Sequence, residues 1–342
     1  MSTIVKARYS SPGGASLARM PKSGTLSYFE IALLAACVGV LVLGIPESFM
    51  DVVLLSFLWG GLALAWNIAG GYAGMISFGH AAFFGVGAYT STILSVDAGL
   101  SPWIGMWLGA ILAALVGGVL SLVCARLRGP FFILSTLATA EVIRICALNW
   151  ASLTGGPEGL AIPPVASLAS MVFDSKQTYA LLMLGYLVLM YVFTKVLEAS
   201  RYGFYMFAVR DDEDAAGAAG INALFVRTAA MALSAFLTAI GGSLFAQYFL
   251  YLDPTHVFSL ELSFQFALLP ALGGLGTAIG PVLGAFAITP LSELLRSYLG
   301  DSVAGLHLVI YGGVVIVVML YFPGGMAAAL NRLAARKGGK GK

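Results

Sequence analysis

Apolar residues gather in long runs along this chain, and polar residues stand between the runs. Runs approaching the roughly 20 residues that cross a hydrocarbon core lie at about 28–45, 52–68, 70–95, 103–125, 131–150, 179–197 and 228–252. Two more flank Gly273 to Pro281, and a last one covers about 303–322. None alternates apolar with polar, so a membrane β-barrel is excluded. The pattern predicts an all-α polytopic membrane protein of about ten transmembrane helices, one membrane domain over 27–323. Polar tails cover 1–26 and 324–342, and a polar segment at 198–227 interrupts the runs. A loop over 151–175, with Thr154-Gly155-Gly156-Pro157-Glu158-Gly159 and Pro163-Pro164, is long enough to read as functional.

Charge adds orientation. With ten helices, both tails, the Arg126 to Arg128 turn and the 198–227 segment fall on one side, and that side holds most of the 18 lysines and arginines. The positive-inside rule makes it cytoplasmic. Glu47, Asp51, Asp97, Glu158, Asp174 and Asp253 collect on the other. Composition agrees, at 59% hydrophobic and 10% charged, where soluble domains carry about 25% charged residues. The cations sit at segment ends rather than on one patch, so nothing points to nucleic acid. Cys37, Cys124 and Cys146 lie in apolar runs without metal spacing and read as packing residues.

The third run is unusual. Residues 70–89 read GGYAGMISFGHAAFFGVGAY. Gly70, Gly71, Gly74, Gly79, Gly85 and Gly87 invite close backbone approach or a broken helix, which a membrane tolerates only where protein or a watery path covers the freed backbone groups. A discontinuous third-helix region is expected, with Gly74, Ser77, Gly79, His80 and Phe83 as candidates for a solute pathway. A lone histidine such as His80 also fits a hydrogen-bonded packing role. Glu141 and Arg144, three apart in the fifth helix, share a face; inside a membrane such charges pair or line a path.

The segment from Arg210 to Asn222 carries Asp211, Asp212, Glu213 and Asp214 in a row, followed by alanines and Gly220. Acids suit the first turn of a helix, with Asp211 able to act as N-cap, and Gly220 suits the position just past its end. A short helix of two to three turns is expected there, either a solvated connector or an element that docks on a partner. Gly276, Gly280 and Gly284, four apart, read as a small-residue packing stripe. No GxxxxGK[ST], HExxH or GxSxG occurs, and no metal or catalytic set is found.

Taken together, these stretches resemble the LivM-type permease subunit of bacterial branched-chain amino-acid ABC importers. The glycine stretch matches the family's third-helix signature through Gly71, Tyr72, Ala73, Gly74, Ile76, Ser77, Gly79, His80, Ala81, Ala82, Phe83, Gly85, Gly87, Ala88 and Tyr89. Glu213, Ala215, Ala216, Gly220, Ile221 and Asn222 are similar to the family's E-A-A loop, with Asp211 and Asp212 leading into it. TGGPEG and GGLGTAIGPVLGA follow in family order, and the likeness runs from about Leu54 to Phe322. The resemblance implies a bacterial inner-membrane permease with both termini cytoplasmic. It also implies that segment 211–222 couples to an ATPase. The implied partners are a second, LivH-type permease, two ATPase subunits and a periplasmic substrate-binding protein. No cofactor is implied for this chain, since the partners bind ATP. Relatives in the family carry urea, amides or aromatic acids, so the solute stays open. The rival of a different class is an ion-coupled secondary transporter, which needs midplane acids or paired broken helices; only Glu141 qualifies.

Overall fold

A computed structural model describes Gly39 and residues 46–127, 129–299, 306–321 and 324–329. The helix expected at 28–45, both basic tails with Lys6, Arg8, Arg19, Lys22 and Arg332 to Lys342, and Cys37 and Arg128 lie outside the described residues.

The chain is mostly helical. Helix α1 spans Glu47–Asn67 and continues through a π-helical turn, Ile68–Tyr72. Then come α2 (His80–Val96), α3 (Pro102–Val123) and α4 (Pro130–Asn149). A short α5 (Ala151–Thr154) leads through a 3-10 turn to strand β1 (Leu160–Ala161). Helices α6 (Lys176–Ala199), α7 (Arg201–Asp211), α8 (Glu213–Ala218) and α9 (Ala223–Phe249) follow. Strand β2 (Tyr251–Leu252) and the helices α10 (Pro254–Val257), α11 (Leu260–Gly273), α12 (Ile279–Leu299) and α13 (Leu306–Tyr321) complete the order. Among the described residues, five helices are long and apolar enough to cross a membrane.

Local chemistry explains the boundaries. Pro102 and Pro130 open α3 and α4 at the first helical position, where a missing N–H costs nothing. Ser175, Ser200, Asn222 and Ser259 cap α6, α7, α9 and α11 with a side-chain oxygen on a first-turn N–H. Helix α7 falls within what reads in sequence as a connector. It forms because Gly203, Met206 and Val209, three apart, are buried on one face of it.

Helix α1 is the axis of the bundle, packed by α6, α9, α11 and α12. A second group joins it through α9, which lies against α2 and α3. That group is held by small residues: a side chain at Gly87 would strike the Ala239 backbone, and one at Gly242 would strike the Phe84 carbonyl. Close approach of this kind replaces the hydrophobic drive that lipid removes. Helices α11 and α12 pack likewise, with Gly284 against the Leu269 backbone and Gly273 against Gly280. The stripe expected over Gly276, Gly280 and Gly284 needs correction at its first member. Helix α12 starts at Ile279, so Gly276 lies in the preceding turn and Gly273, on α11, takes its place.

The 151–175 loop is ordered by backbone pairing. Strand β1 pairs antiparallel with β2, Leu160 opposite Leu252, and an isolated bridge joins Ser167 and Val172. Trp103 Nε1 donates to Leu168 O at 2.9 Å. Cys124 is buried, whereas Cys146 is exposed on α4 rather than packed.

Candidate functional site

Between the π turn and α2, residues 73–79 leave helical geometry. Burial alternates along this non-helical stretch: Met75, Ser77 and Gly79 are buried, while Gly74 and Ile76 are exposed and Phe78 is half-exposed. One edge of the break therefore faces the protein and the other faces outward.

The inward edge is stitched by hydrogen bonds. Trp66 Nε1 donates to Ser77 O at 2.9 Å, Gly79 N–H to Ser77 Oγ at 3.1 Å, and Phe78 N–H to Thr136 Oγ1 of α4 at 3.1 Å. Met75 N–H reaches back to Ala69 O at 2.9 Å. Buried backbone groups that leave helical geometry must find such partners. His80 is fully buried beside Phe83, Trp66 and Phe266. Its Nε2 lies 2.8 Å from Ser234 Oγ, whose hydroxyl donates to Ala65 O at 2.7 Å. The single hydroxyl hydrogen is then committed, so His80 Nε2–H is the donor. His80 thus ties α2, α9 and α1 together.

The candidates from sequence divide accordingly. Gly74 stands at the outward edge, with φ +70°, and its open side meets the Arg210 stem. Ser77, Gly79, His80 and Phe83 lie behind that edge, in the packing. Glu141 and Arg144 sit apart on α4 and pair with each other through two hydrogen bonds, Nε to Oε2 at 2.9 Å and Nη2 to Oε1 at 2.5 Å. Sequence reading missed Ile76 and Phe78 as outward residues, and Phe264, whose exposed ring lies 4.7 Å from that of Phe78. The alternation in burial is legible only from the folded backbone, since 73–79 follows neither helical nor strand geometry.

The acidic segment folds as α7 and α8 joined at Asp212. The expected cap, Asp211, is corrected to Asp212. Asp212 has the extended backbone a cap requires, φ −156° and ψ 107°, and its Oδ1 accepts from Asp214 N–H and Ala215 N–H at 3.0 and 2.9 Å. Asp211 ends α7, and its carboxylate is taken by Arg210. Helix α8 has 6 residues, shorter than the two to three turns expected. It stops where Gly220, at φ +86°, lets Ile221 N–H bond Ala216 O and Gly220 N–H bond Gly217 O, both at 3.0 Å. Asn222 then caps α9 by accepting from Phe225 N–H. Glu213 is braced by Arg227 at 3.1 Å. Ala216 is buried, 4% exposed, and faces its own chain. Ala215 and Ala218 face outward.

Two further residues join these regions. Asn67 is fully buried at the end of α1; its Oδ1 accepts from Gly276 N–H and its Nδ2 donates to Thr277 O, both at 3.0 Å. Arg210 Nη1 donates to Gly71 O at 2.9 Å. The glycine stretch, the acidic segment and the GGLGTAIGP turn thus meet at one end of the bundle. An asparagine inside LALAWNIAGG was the available signal for Asn67.

A family described as branched-chain amino acid transport system / permease component matches residues 48–320. The chain is 26% identical over 335 residues to the high-affinity branched-chain amino acid transport system permease protein LivM of Escherichia coli K12, covering 89% of this chain and 77% of that one. It is 24% identical over 295 residues to the corresponding LivH of the same organism, covering 82% and 94%. It is also similar to the autoinducer 2 import system permease protein LsrC of Salmonella paratyphi B, at 28% over 246 residues, 67% of this chain and 66% of that one. No solved structure matches. The match over 48–320 spans well over half of the 342 residues, and the chain belongs to the branched-chain amino acid transport system permease component family.

Proposed function

We propose that this chain is one membrane-spanning half of an ABC importer, moving branched-chain amino acids or a related small solute inward while separate subunits hydrolyse ATP. The observation that carries the coupling is α8. It is short, capped by Asp212, braced by Arg227, and presents Ala215 and Ala218 outward. A small-residue helix held rigidly at a surface suits insertion into a groove. A second, LivH-type permease, two ATPase subunits and a periplasmic binding protein complete the proposed assembly in a bacterial inner membrane.

The proposed solute path runs beside the helix break. Gly74 stands at its edge, and Ser77, Gly79, His80 and Phe83 hold that edge from behind. Glu141 and Arg144, farther along α4 and apart from the break, are the proposed charged lining of the path beyond it. Ten spanning helices with both termini cytoplasmic complete the topology. Reporter fusions at Lys342 and after Pro157 should report cytoplasm and periplasm respectively; a periplasmic carboxyl terminus would remove the even count.

The deciding experiment is Ala218→Trp in the assembled importer. The site is outside the spanning helices, so insertion should be near normal. Co-purification of the ATPase subunits and uptake should both be lost. Normal co-purification with wild-type uptake would reduce α8 to a connector. In vesicles holding the complete complex, uptake should require ATP and survive an uncoupler. Uptake that ignores ATP and collapses with the proton gradient would favour a secondary carrier.

A further inference from the structure

Arg210 occupies a singular position. It lies in the last turn of α7, two residues before the Asp212 cap of α8. Its Nη1 reaches Gly71 O, 139 residues away, at 2.9 Å. Its Nε and Nη2 each lie 3.0 Å from Asp211 Oδ1. The guanidinium stands over the Phe207 ring at 5.0 Å, and Phe207 in turn packs edge-on against Tyr72. Gly74 leaves room for the Arg210 stem, and Gly276 leaves room for its Nη1.

The Gly71 carbonyl is a meaningful target. A continuing α-helix would give it Met75 N–H, but that donor goes to Ala69 O. Gly71 therefore lies where α1 and its π turn stop, the negative end of a long helix dipole, and a cation there is favoured. One planar guanidinium thus bridges a carboxylate next to the α8 cap and a carbonyl at the edge of the helix break. A lysine, with a point charge and no fixed fork, cannot hold both at once.

We infer that Arg210 is a positioning residue that transmits movement of α8 to the broken helix. Displacing α8 pulls on Gly71 through Arg210, and Gly71 opens directly into residues 73–79. Asn67, bonded to Gly276 and Thr277, anchors the other side of the same junction to the α11–α12 turn, so the pull falls on the break rather than on the whole of α1. This rests on the reading of α8 as the ATPase-docking helix.

The test uses the complete importer in proteoliposomes with its loaded binding protein, measuring ATPase co-purification, ATP hydrolysis and uptake per ATP hydrolysed. Arg210→Ala should co-purify and hydrolyse ATP, with uptake per ATP falling tenfold or more. Arg210→Lys should recover only a small part. A purely structural role would lower uptake and hydrolysis together and leave the ratio alone, and an unchanged ratio in Arg210→Ala overturns the inference. If Arg210→Ala fails to assemble, Asp211→Ala decides. Asp211 is largely exposed, so its loss leaves the guanidinium without the carboxylate that orients it toward Gly71 O, without disturbing the core. A severalfold drop in the ratio supports the relay, and an unchanged one overturns it. Ala218→Trp separates the two failures: if it docks and transports normally, the docking reading itself is wrong; if docking is lost there while Arg210→Ala keeps its ratio, only the relay is wrong.

Discussion

Helices α1 and α4 are close in length, at 21 and 20 residues, and equally apolar. One is nearly all buried and the other faces mostly outward. Along α1, Leu54, Leu58, Leu62, Ala65 and Trp66 vanish into neighbours. Along α4, only Phe132, Thr136, Ala140 and Ala147 are buried, a narrow stripe of mainly small residues, while Phe131, Leu134, Val142 and Ile145 are exposed. Hydropathy therefore assigns both helices to the bilayer and says nothing of their neighbours. Lipid tails are as apolar as leucine, so what holds a helix in such a bundle is contact geometry and hydrogen bonding. The α4 stripe meets the helix break itself: Thr136 accepts from Phe78 N–H, and Gly79 packs on the Thr136 backbone.

The largest expected effect tests the buried side of this contrast. Trp66 is 1% exposed and its Nε1–H satisfies Ser77 O within the break. Trp66→Ala removes a large buried ring and strands that carbonyl. It should destabilise the chain by about 3–5 kcal/mol, read from SDS-titrated unfolding in mixed micelles. A loss under about 1 kcal/mol would mean that α1 is not the packed axis.

The next effect concerns the hydrogen bond from Phe78 N–H to Thr136 Oγ1, which ties the break to α4. Thr136→Val keeps the shape and leaves Phe78 N–H without its acceptor, at a cost of about 1–3 kcal/mol. Thr136→Ser should restore most of it. If serine does no better than valine, the methyl contact rather than the hydroxyl holds α4 in place.

How far these sites were legible follows from the same physics. Spanning helices showed in the sequence because apolar runs end at Pro, Gly and charged residues, as at Gly129-Pro130. Helix α7 did not, because RYGFYMFAVRD mixes aromatic and charged residues and reveals a face only when Gly203, Met206 and Val209 are buried. The acidic cap was placed one residue early, since four consecutive acids offer equal caps until backbone geometry selects Asp212. Within the glycine stretch, the residue types signalled a break, but which of 74, 76 and 78 face outward depends on an irregular backbone, with Gly74 at φ +70°, that no periodicity encodes. The Arg210 to Gly71 bond joins residues far apart in sequence, and no local pattern encodes it.

A third, smaller effect separates stability from transport on α4. Glu141 and Arg144 pair within one helix, each partly exposed. Changing both to leucine removes the pair together and should be near neutral for stability, whereas Glu141→Leu alone leaves a charge unmatched in an apolar setting. Unfolding should therefore rank the double variant above the single one. Should the pair line the solute path, uptake falls in both variants; wild-type uptake in the double variant would assign the pair a purely structural role.

The smallest effect tests the outward side. Leu134 is 61% exposed on α4, and Leu62 is fully buried on α1. In water, truncating either would forfeit transfer energy. In a micelle or bilayer, the exposed face of α4 meets chains as apolar as itself, so Leu134→Ala exchanges one apolar contact for another and leaves no cavity. Its expected cost is within about 0.5 kcal/mol, against about 2–5 kcal/mol for Leu62→Ala, whose neighbours close only partly over the void. Both are measured on the isolated chain by the same SDS titration, so that no other subunit contributes. Equal costs at the two positions would show that the face around Leu134 is packed against protein, and the contrast between α1 and α4 would fail.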